Sequence, residues 1–166
     1  MPISVGVGRV ASVPGVSLTS RRVPYDSVDA LVLINELHGE SSERYGGPDE
    51  TLVDPAEFAD PNGAFFVAHD DVDLVGCVGM RRHSDSDAEL KRMYIRRPFR
   101  GRGWSRELLR LVETEARTKG FVRMILETGT PQPEAMGLYE SSGYESIPGF
   151  GHYRDEPLNR CFAKKL

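Results

Sequence analysis

The sequence has little cysteine and no long apolar run, and both shortages limit what the protein can be. Its 166 residues include two cysteines, Cys77 and Cys161, which lie far apart without CxxC or metal-ligand spacing. We therefore expect reduced thiols, as in a cytoplasmic protein. No stretch approaches the roughly 18 apolar residues of a membrane span, and residues 1–20 lack the charged and apolar regions of a secretion signal. The sequence predicts no association with a membrane.

An excess of charge of one sign is also missing. The net charge of -4 gives no reason to expect a nucleic-acid partner, although arginines cluster between Arg92 and Arg106. The histidines show no paired-ligand spacing, so we predict no metal and interpret them as surface residues. These histidines are His38, His69, His83 and His152. P-loop, Rossmann and GxSxG motifs are all missing.

The length fits one domain with an ordinary apolar core. We expect residues 1–15 to form a flexible tail or an edge strand, and residues 16–166 to form the domain. Hydrophobic periodicity predicts strands alternating with helices. The first helix should be capped by Asp26 or Ser27 and end near Gly39, with a surface loop over 41–54. The other predicted helices end at Gly120 and Gly143, and the predicted strands cover 16–23, 64–68, 74–80, 88–95, 121–127, 144–147 and 160–164.

The strand 88–95 leads into a loop and then a helix. Because strand side chains alternate, we expect Leu90, Arg92 and Tyr94 on one face and Glu89, Lys91, Met93 and Ile95 on the other.

The loop after this strand is basic and contains Gly101 and Gly103. Backbone N–H groups at the start of a helix bind phosphate, and glycine lets a ligand approach the chain closely. Arg100, Arg102 and Arg106 would add positive charge. The pattern favours a pyrophosphate site, and a tight turn that needs glycine for its geometry alone is the alternative.

This segment resembles the acetyl-CoA loop of the GNAT superfamily of N-acetyltransferases, which has the form Arg/Gln-x-x-Gly-x-Gly/Ala. The pattern falls on Arg100, Gly103 and Ser105, with serine where the family prefers glycine or alanine. The resemblance extends over most of the chain from Ala64 onward. It implies an α/β (α+β) fold: a mixed, mostly antiparallel sheet with helices on both faces and a V-shaped splay between the two central strands.

The resemblance also implies acetyl-CoA as the co-substrate. The backbone of the strand before the loop should pair with the pantetheine arm, and the loop should hold the pyrophosphate. The residues implied in binding are Met93, Tyr94, Ile95, Arg100, Gly101, Arg102, Gly103, Trp104, Ser105 and Arg106.

Three residues are candidates for the chemistry. Tyr139 matches the position of the tyrosine that similar enzymes use as general acid, although a tyrosine packed in the core would look the same. Glu89 is the first candidate for the general base and Glu127 the second. Either could instead be a solvated or salt-bridged strand residue, for example Glu89 paired with Lys91.

The sequence leaves the acceptor open. Residues 147–153, together with Tyr45, Gly46 and Gly47, could form its pocket, and we expect a primary amine of a small molecule that attacks directly in a ternary complex. A peptide or protein amine is the alternative acceptor. A non-catalytic acyl-CoA sensor and an interaction module are the alternatives to an enzyme, and a homodimer is left open because no segment specifies an interface.

Overall fold

The computed structural model describes residues 18–166, so the tail or edge strand expected at 1–15 lies outside the described residues. Seven strands and three helices follow one another, with 3₁₀ turns at Pro55–Phe58 and Arg97–Phe99. In chain order the elements are β1 (Leu18–Arg22), α1 (Val28–Tyr45), β2 (Gly63–Asp70), β3 (Asp73–Arg82), β4 (Asp87–Ile95), α2 (Trp104–Thr118), β5 (Arg123–Gly129), α3 (Pro133–Ser141), β6 (Glu145–Ile147) and β7 (Asn159–Lys165). No helix in this part of the chain is long and apolar enough to cross a membrane.

The strands form one sheet in the order β1-β2-β3-β4-β5-β7-β6. All neighbouring pairs are antiparallel except β4 and β5, which run parallel. Alternate side chains of β2 enter two different cores. Phe66 packs among the residues of α2, such as Leu108, whereas Phe65 packs among those of α1, such as Leu33. The sheet therefore has helices on both faces, which confirms the predicted fold.

The parallel strands β4 and β5 pair only at their beginnings. Their register runs from Asp87 opposite Arg123 to Glu89 opposite Ile125, and no pair follows. From Leu90 to Ile95, β4 keeps β3 as its neighbour but has no strand partner on the side facing β5. The predicted splay between the central strands is thus present, and it begins immediately after Glu89.

A bulge in β4 changes the predicted alternation of its side chains. Arg92 has a φ of 57°, and the register with β3 shifts there, so that Lys91 faces Gly79 while Tyr94 faces Cys77. Leu90 and Ile95 consequently share the core on the α2 side, and Tyr94 enters the core on the α1 side. The prediction that Leu90 and Tyr94 share a face was therefore wrong.

The first helix begins as predicted and ends later. The Ser27 hydroxyl accepts a hydrogen bond from the Ala30 N–H, which caps α1, but the helix passes through Gly39 and ends at Tyr45. A glycine at an exposed helix position costs only about 1 kcal/mol. Gly46, with a φ of 77°, forms the actual C-cap. The last turn of α1 therefore reaches the splay, where a surface loop was expected.

Candidate active site

A cavity of about 660 Å³ lies where β4 and β5 part, and residues from both faces of the sheet line it. Its wall includes β4 from Leu90 to Ile95, the C-terminal half of α1 and the start of α2. Glu127 on β5, Tyr139 on α3, the loop after α1 and several residues between Tyr153 and Asn159 also line it.

We call the part of the cavity around the start of α2 the α2 end. Gly103 caps the helix with a φ of 79°, and no side chain accepts a hydrogen bond from the first N–H groups. Gly101 has a φ of 78°. These conformations explain the two glycines, because an L side chain would be strained there. The open N–H groups and the helix dipole make this end suitable for a phosphate.

The arginines of this loop are engaged with other parts of the protein. Arg100 forms two 2.8 Å bonds to Glu40 and donates from Nε to the Ile95 carbonyl. The Arg102 guanidinium lies over the rings of Phe99 and Trp104. These arginines therefore shape the loop, and no side chain caps the first N–H groups of α2.

The structure brings six of the ten predicted binding residues to the cavity wall: Met93, Tyr94, Ile95, Arg100, Gly101 and Ser105. The other four lie beside it. Trp104 is buried in the core on the α2 side, and Arg106 donates to the hydroxyls of Ser141 and Ser142. Because Gly103 and Trp104 begin α2, their contribution is the backbone.

Tyr139 is at once a core residue and part of the cavity wall. Its side chain is 5% exposed and packs edge to face with Tyr144 at 5.7 Å between ring centroids. Burial raises the pKa of its hydroxyl. No residue within 18–166 forms a side-chain hydrogen bond with it, in contrast to Tyr144, whose hydroxyl donates to Glu113 at 3.0 Å. The Tyr139 phenol is thus a protonated donor without a fixed partner.

Glu127 lies on the splayed part of β5, at what we call the Glu127 end of the cavity. Its side chain is 11% exposed, and its nearest donors are distant: Asn159 Nδ2 at 3.5 Å and Lys91 Nζ at 3.7 Å. Burial raises the pKa of this carboxyl, and Lys91 opposes that rise. A largely buried carboxylate with weak hydrogen-bond partners is well suited to accept a proton.

Glu89 has a different environment. It is 3% exposed, does not line the cavity, and accepts a 2.9 Å hydrogen bond from Arg81 Nε. Lys91 Nζ lies 3.3 Å from its other oxygen. The salt-bridged alternative for Glu89 is therefore the arrangement found, and the geometry favours Glu127 as the base.

Sequence reasoning missed the ion pair between Arg92 and Asp49, which closes the Glu127 end. Arg92 Nη1 donates to Asp49 at 2.7 Å, and the Tyr153 hydroxyl donates to the same carboxylate at 3.1 Å. Burial opposes ionisation of Asp49, but the Thr51 N–H and Arg92 outweigh it and lower its pKa to about 2. Nothing local marks this pair, because its members lie 43 residues apart.

Two tyrosines proposed from the sequence for the acceptor pocket, Tyr45 and Tyr153, both line the cavity. Tyr45 donates to Gln132 at 3.1 Å.

His38 also lines the cavity, and its Nε2 is buried without a partner among the described residues. Burial, and then Arg92, lower its pKa. The interpretation of His38 as an ordinary surface residue was wrong, because α1 turns it toward β4.

No group of three potential metal ligands occurs between residues 18 and 166.

Comparison with known proteins gives one consistent result. Residues 32–144 match the profile described as "Acetyltransferase (GNAT) family". The chain is 34% identical over 140 residues to the IAA acetyltransferase of Azospirillum brasilense, a match that covers 83% of this chain and 92% of that protein.

Solved structures of similar proteins superpose on this chain. A Klebsiella pneumoniae protein assigned as an acyl-CoA N-acyltransferase superposes with a TM-score of 0.76 at 25% identity, covering 90% of this chain and 97% of that one. A GNAT family acetyltransferase from Elizabethkingia anophelis, solved with acetyl-CoA bound, superposes with a TM-score of 0.68 at 15% identity, covering 90% and 98%. At this lower identity the likeness concerns the fold alone.

Proposed function

The chain belongs to the acetyltransferase (GNAT) family, and on that premise we propose that it transfers an acetyl group from acetyl-CoA to a primary amine of a small molecule. The amine would attack directly in a ternary complex. One observation carries the proposal: the uncapped start of α2 opens on the same cavity as Glu127 and Tyr139.

The residues present fit acetyl-CoA as the donor. The first N–H groups of α2 could hold its pyrophosphate, and the unpaired side of β4 could bond the amides of its pantetheine arm. The relative from Elizabethkingia anophelis was solved with acetyl-CoA bound. Acetyl-CoA supplies a thioester carbonyl that an amine can attack.

Glu127 is the residue we propose as general base. An amine is mostly protonated at neutral pH and must lose a proton to become a nucleophile. The raised pKa of Glu127 brings the carboxylate closer to the pKa of its target, and its weak hydrogen bonds leave it available. It would accept the proton directly or through one water.

Tyr139 is the residue we propose as general acid. Its raised pKa keeps the hydroxyl protonated at neutral pH, so it holds a proton for the departing thiolate. Its ring packs in the core on the α2 side of the sheet, whereas α1 packs on the other side. Acid and base would thus reach the same cavity from α3 and β5.

A small acceptor is supported by the closed character of the Glu127 end. Tyr153 bridges Asp49 and the Glu50 N–H, so two loops meet over this part of the cavity. The relative from Azospirillum brasilense is named for IAA, a small-molecule designation. Tyr45 and Tyr153 would form the walls of the acceptor pocket.

Thermal unfolding with and without acetyl-CoA tests the donor assignment, because a ligand of the native state raises its melting temperature. We compare the wild type with Gly103→Asp, because aspartate is less strained at a positive φ than most side chains and places a negative charge at the start of α2. Gly120→Asp is the matched control, since Gly120 has a φ of 88° at the other end of the helix.

We expect acetyl-CoA to raise the melting temperature of the wild type and of Gly120→Asp by several degrees, and that of Gly103→Asp by none. The absence of a shift in the wild type would contradict the donor assignment. An amine screen that detects released CoA then tests the acceptor class, and turnover of peptide amines alone would contradict the small-molecule proposal.

A further inference from the structure

Lys91 is a buried lysine whose ammonium lies between two glutamates on neighbouring strands. It is 7% exposed and lines the cavity. Its Nζ is 3.3 Å from Glu89 Oε1 on its own strand and 3.7 Å from Glu127 Oε1 on β5. A buried ammonium needs compensation by opposite charge, and these two carboxylates provide it.

The Glu89 side of this arrangement is fixed. Glu89 is the last residue of β4 that pairs with β5, and its second oxygen accepts a hydrogen bond from Arg81. Arg81 is itself held by Glu57 at 2.8 Å. The carboxylate that orients Lys91 is therefore held by Arg81, which Glu57 holds in turn.

The Glu127 side is open. Glu127 lies past the last β4–β5 pair, faces the cavity, and has no donor closer than 3.5 Å among residues 18–166. Several charged or titratable residues on neighbouring elements influence the pKa of Glu127 or pair with it in the sheet. They are Lys91 and Glu89 on β4, Asp49 in the loop after α1, and Cys161 on β7, beside the polar Asn159. Only Lys91 among them is cationic.

We propose that Lys91 is a positioning residue for the acetyl transfer, in which Glu89 anchors its ammonium so that it holds the Glu127 carboxylate ionised at the cavity wall. This inference rests on the proposed function, and it gives separate roles to the two glutamates. Glu127 exchanges the proton, and Glu89 acts only through Lys91.

The direction of the expected effect follows from charge. Burial raises the pKa of Glu127, and Lys91 is the strongest influence that lowers it. Removal of the ammonium leaves burial opposed only by weaker contacts. Glu127 would then stay protonated up to a higher pH, and less of the enzyme would carry an active base on the acid side of the kcat profile.

The test replaces Lys91 by methionine, which keeps the length and removes the charge, and by arginine, which keeps the charge. The pKa of Glu127 is measured by ¹³C NMR of its carboxyl carbon, without any substrate, and kcat is measured against pH with an amine found in the screen. Lys164→Met is the matched control, because Lys164 pairs with Glu113 at 3.0 Å outside the cavity. If Lys91→Met does not fold, Lys91→Gln takes its place.

We expect Lys91→Met to raise the pKa of Glu127 by about one unit and to move the acid limb of the kcat profile by the same amount. At a given pH on the acid limb kcat should therefore fall about tenfold with the KM for acetyl-CoA unchanged, and Lys91→Arg should restore most of it. Lys164→Met should change neither the pKa of Glu127 nor the dependence of kcat on pH.

An unchanged pKa of Glu127 in Lys91→Met would overturn the inference whether or not the protein transfers acetyl groups. A raised pKa with an unmoved kcat profile would also overturn it, because Lys91 would then not act on catalysis. That second outcome would contradict Glu127 as base in the proposed function as well. The NMR titration therefore distinguishes a failure of the inference about Lys91 from a failure of the proposed function.

Discussion

The α2 end of the cavity comes from one stretch of chain, whereas the Glu127 end gathers side chains from four. Residues 93–105 supply the strand edge, the glycine turn and the helix start at the α2 end, and they act there through the backbone. Lys91, Asp49, Glu127 and Tyr153 meet at the Glu127 end from β4, two loops and β5. A backbone site depends on conformation, and a side-chain site depends on which residues meet.

The two ends should consequently respond differently to substitution. Changes of side chain at the Glu127 end should alter kcat, acceptor binding or stability and leave acetyl-CoA binding intact. The predictions below test this separation.

The largest effect is expected for Glu127→Gln, which removes the proposed base. We expect kcat to fall by roughly 10³, within the range for loss of an acid–base group, with the Kd for acetyl-CoA unchanged. Steady-state kinetics and calorimetric binding of acetyl-CoA measure the two quantities.

Two glutamates serve as controls in that experiment. Glu89→Gln should lower kcat less than Glu127→Gln, because Glu89 does not line the cavity. Glu156→Gln should have little effect, because Glu156 is an exposed residue of the cavity wall. A larger loss in Glu89→Gln than in Glu127→Gln would reverse the assignment.

Asp49→Asn should have the next largest effect, on stability. It removes the anion paired with Arg92, whose side chain is 8% exposed, and an unpaired buried charge costs about 3 kcal/mol. We expect urea unfolding to show this loss and the acceptor KM to rise. Asp29→Asn, at the exposed pair with Arg21, should cost less than about 1 kcal/mol.

The ion pair between Asp49 and Arg92 should also make the stability of the protein depend on pH. A carboxyl whose pKa is lower in the folded than in the unfolded protein stabilises the fold above the unfolded pKa. The pKa of Asp49 is lowered from 3.8 to about 2. The difference in stability between wild type and Asp49→Asn should therefore shrink as the pH falls through this interval, and a constant difference would argue against the ion pair.

Tyr139→Phe should lower kcat by roughly 10² and leave the free energy of unfolding nearly unchanged, because the ring keeps its packing. Tyr144→Phe is the opposite case. It loses the hydrogen bond to Glu113, which should cost about 1 kcal/mol of stability, and it should not affect kcat. Equal kcat values for the two variants would exclude Tyr139 as the acid.

The smallest effect concerns the stability of Glu127→Gln. A carboxyl whose pKa is raised on folding stabilises the fold at low pH and loses that contribution as the pH rises through its folded pKa. Glu127→Gln should therefore be slightly more stable than the wild type at neutral pH, and the difference should vanish in acid. Denaturant unfolding at several pH values measures it.

Local patterns predicted most of the fold. The cap at Ser27, the β2–β3 hairpin and the stripe of α2 depend on residues a few positions apart, and each was predicted near its place. The end of α1 was placed too early because Gly39 was taken as a stop, and in the structure that glycine is part of an exposed helix surface. The β4 bulge has no local signal, since Arg92 is not a residue that favours a positive φ.

The sequence by itself determined the α2 end, because the proposed phosphate site needs only a strand, two glycines and a helix start in succession. Only the tertiary structure decided which residues meet at the Glu127 end. The fold places Glu127 in the cavity wall and Glu89 outside it. It also pairs Arg92 with Asp49 and brings His38 to the cavity wall. The physical reason is that the charge state and partners of a buried side chain depend on neighbours that the fold brings from distant positions.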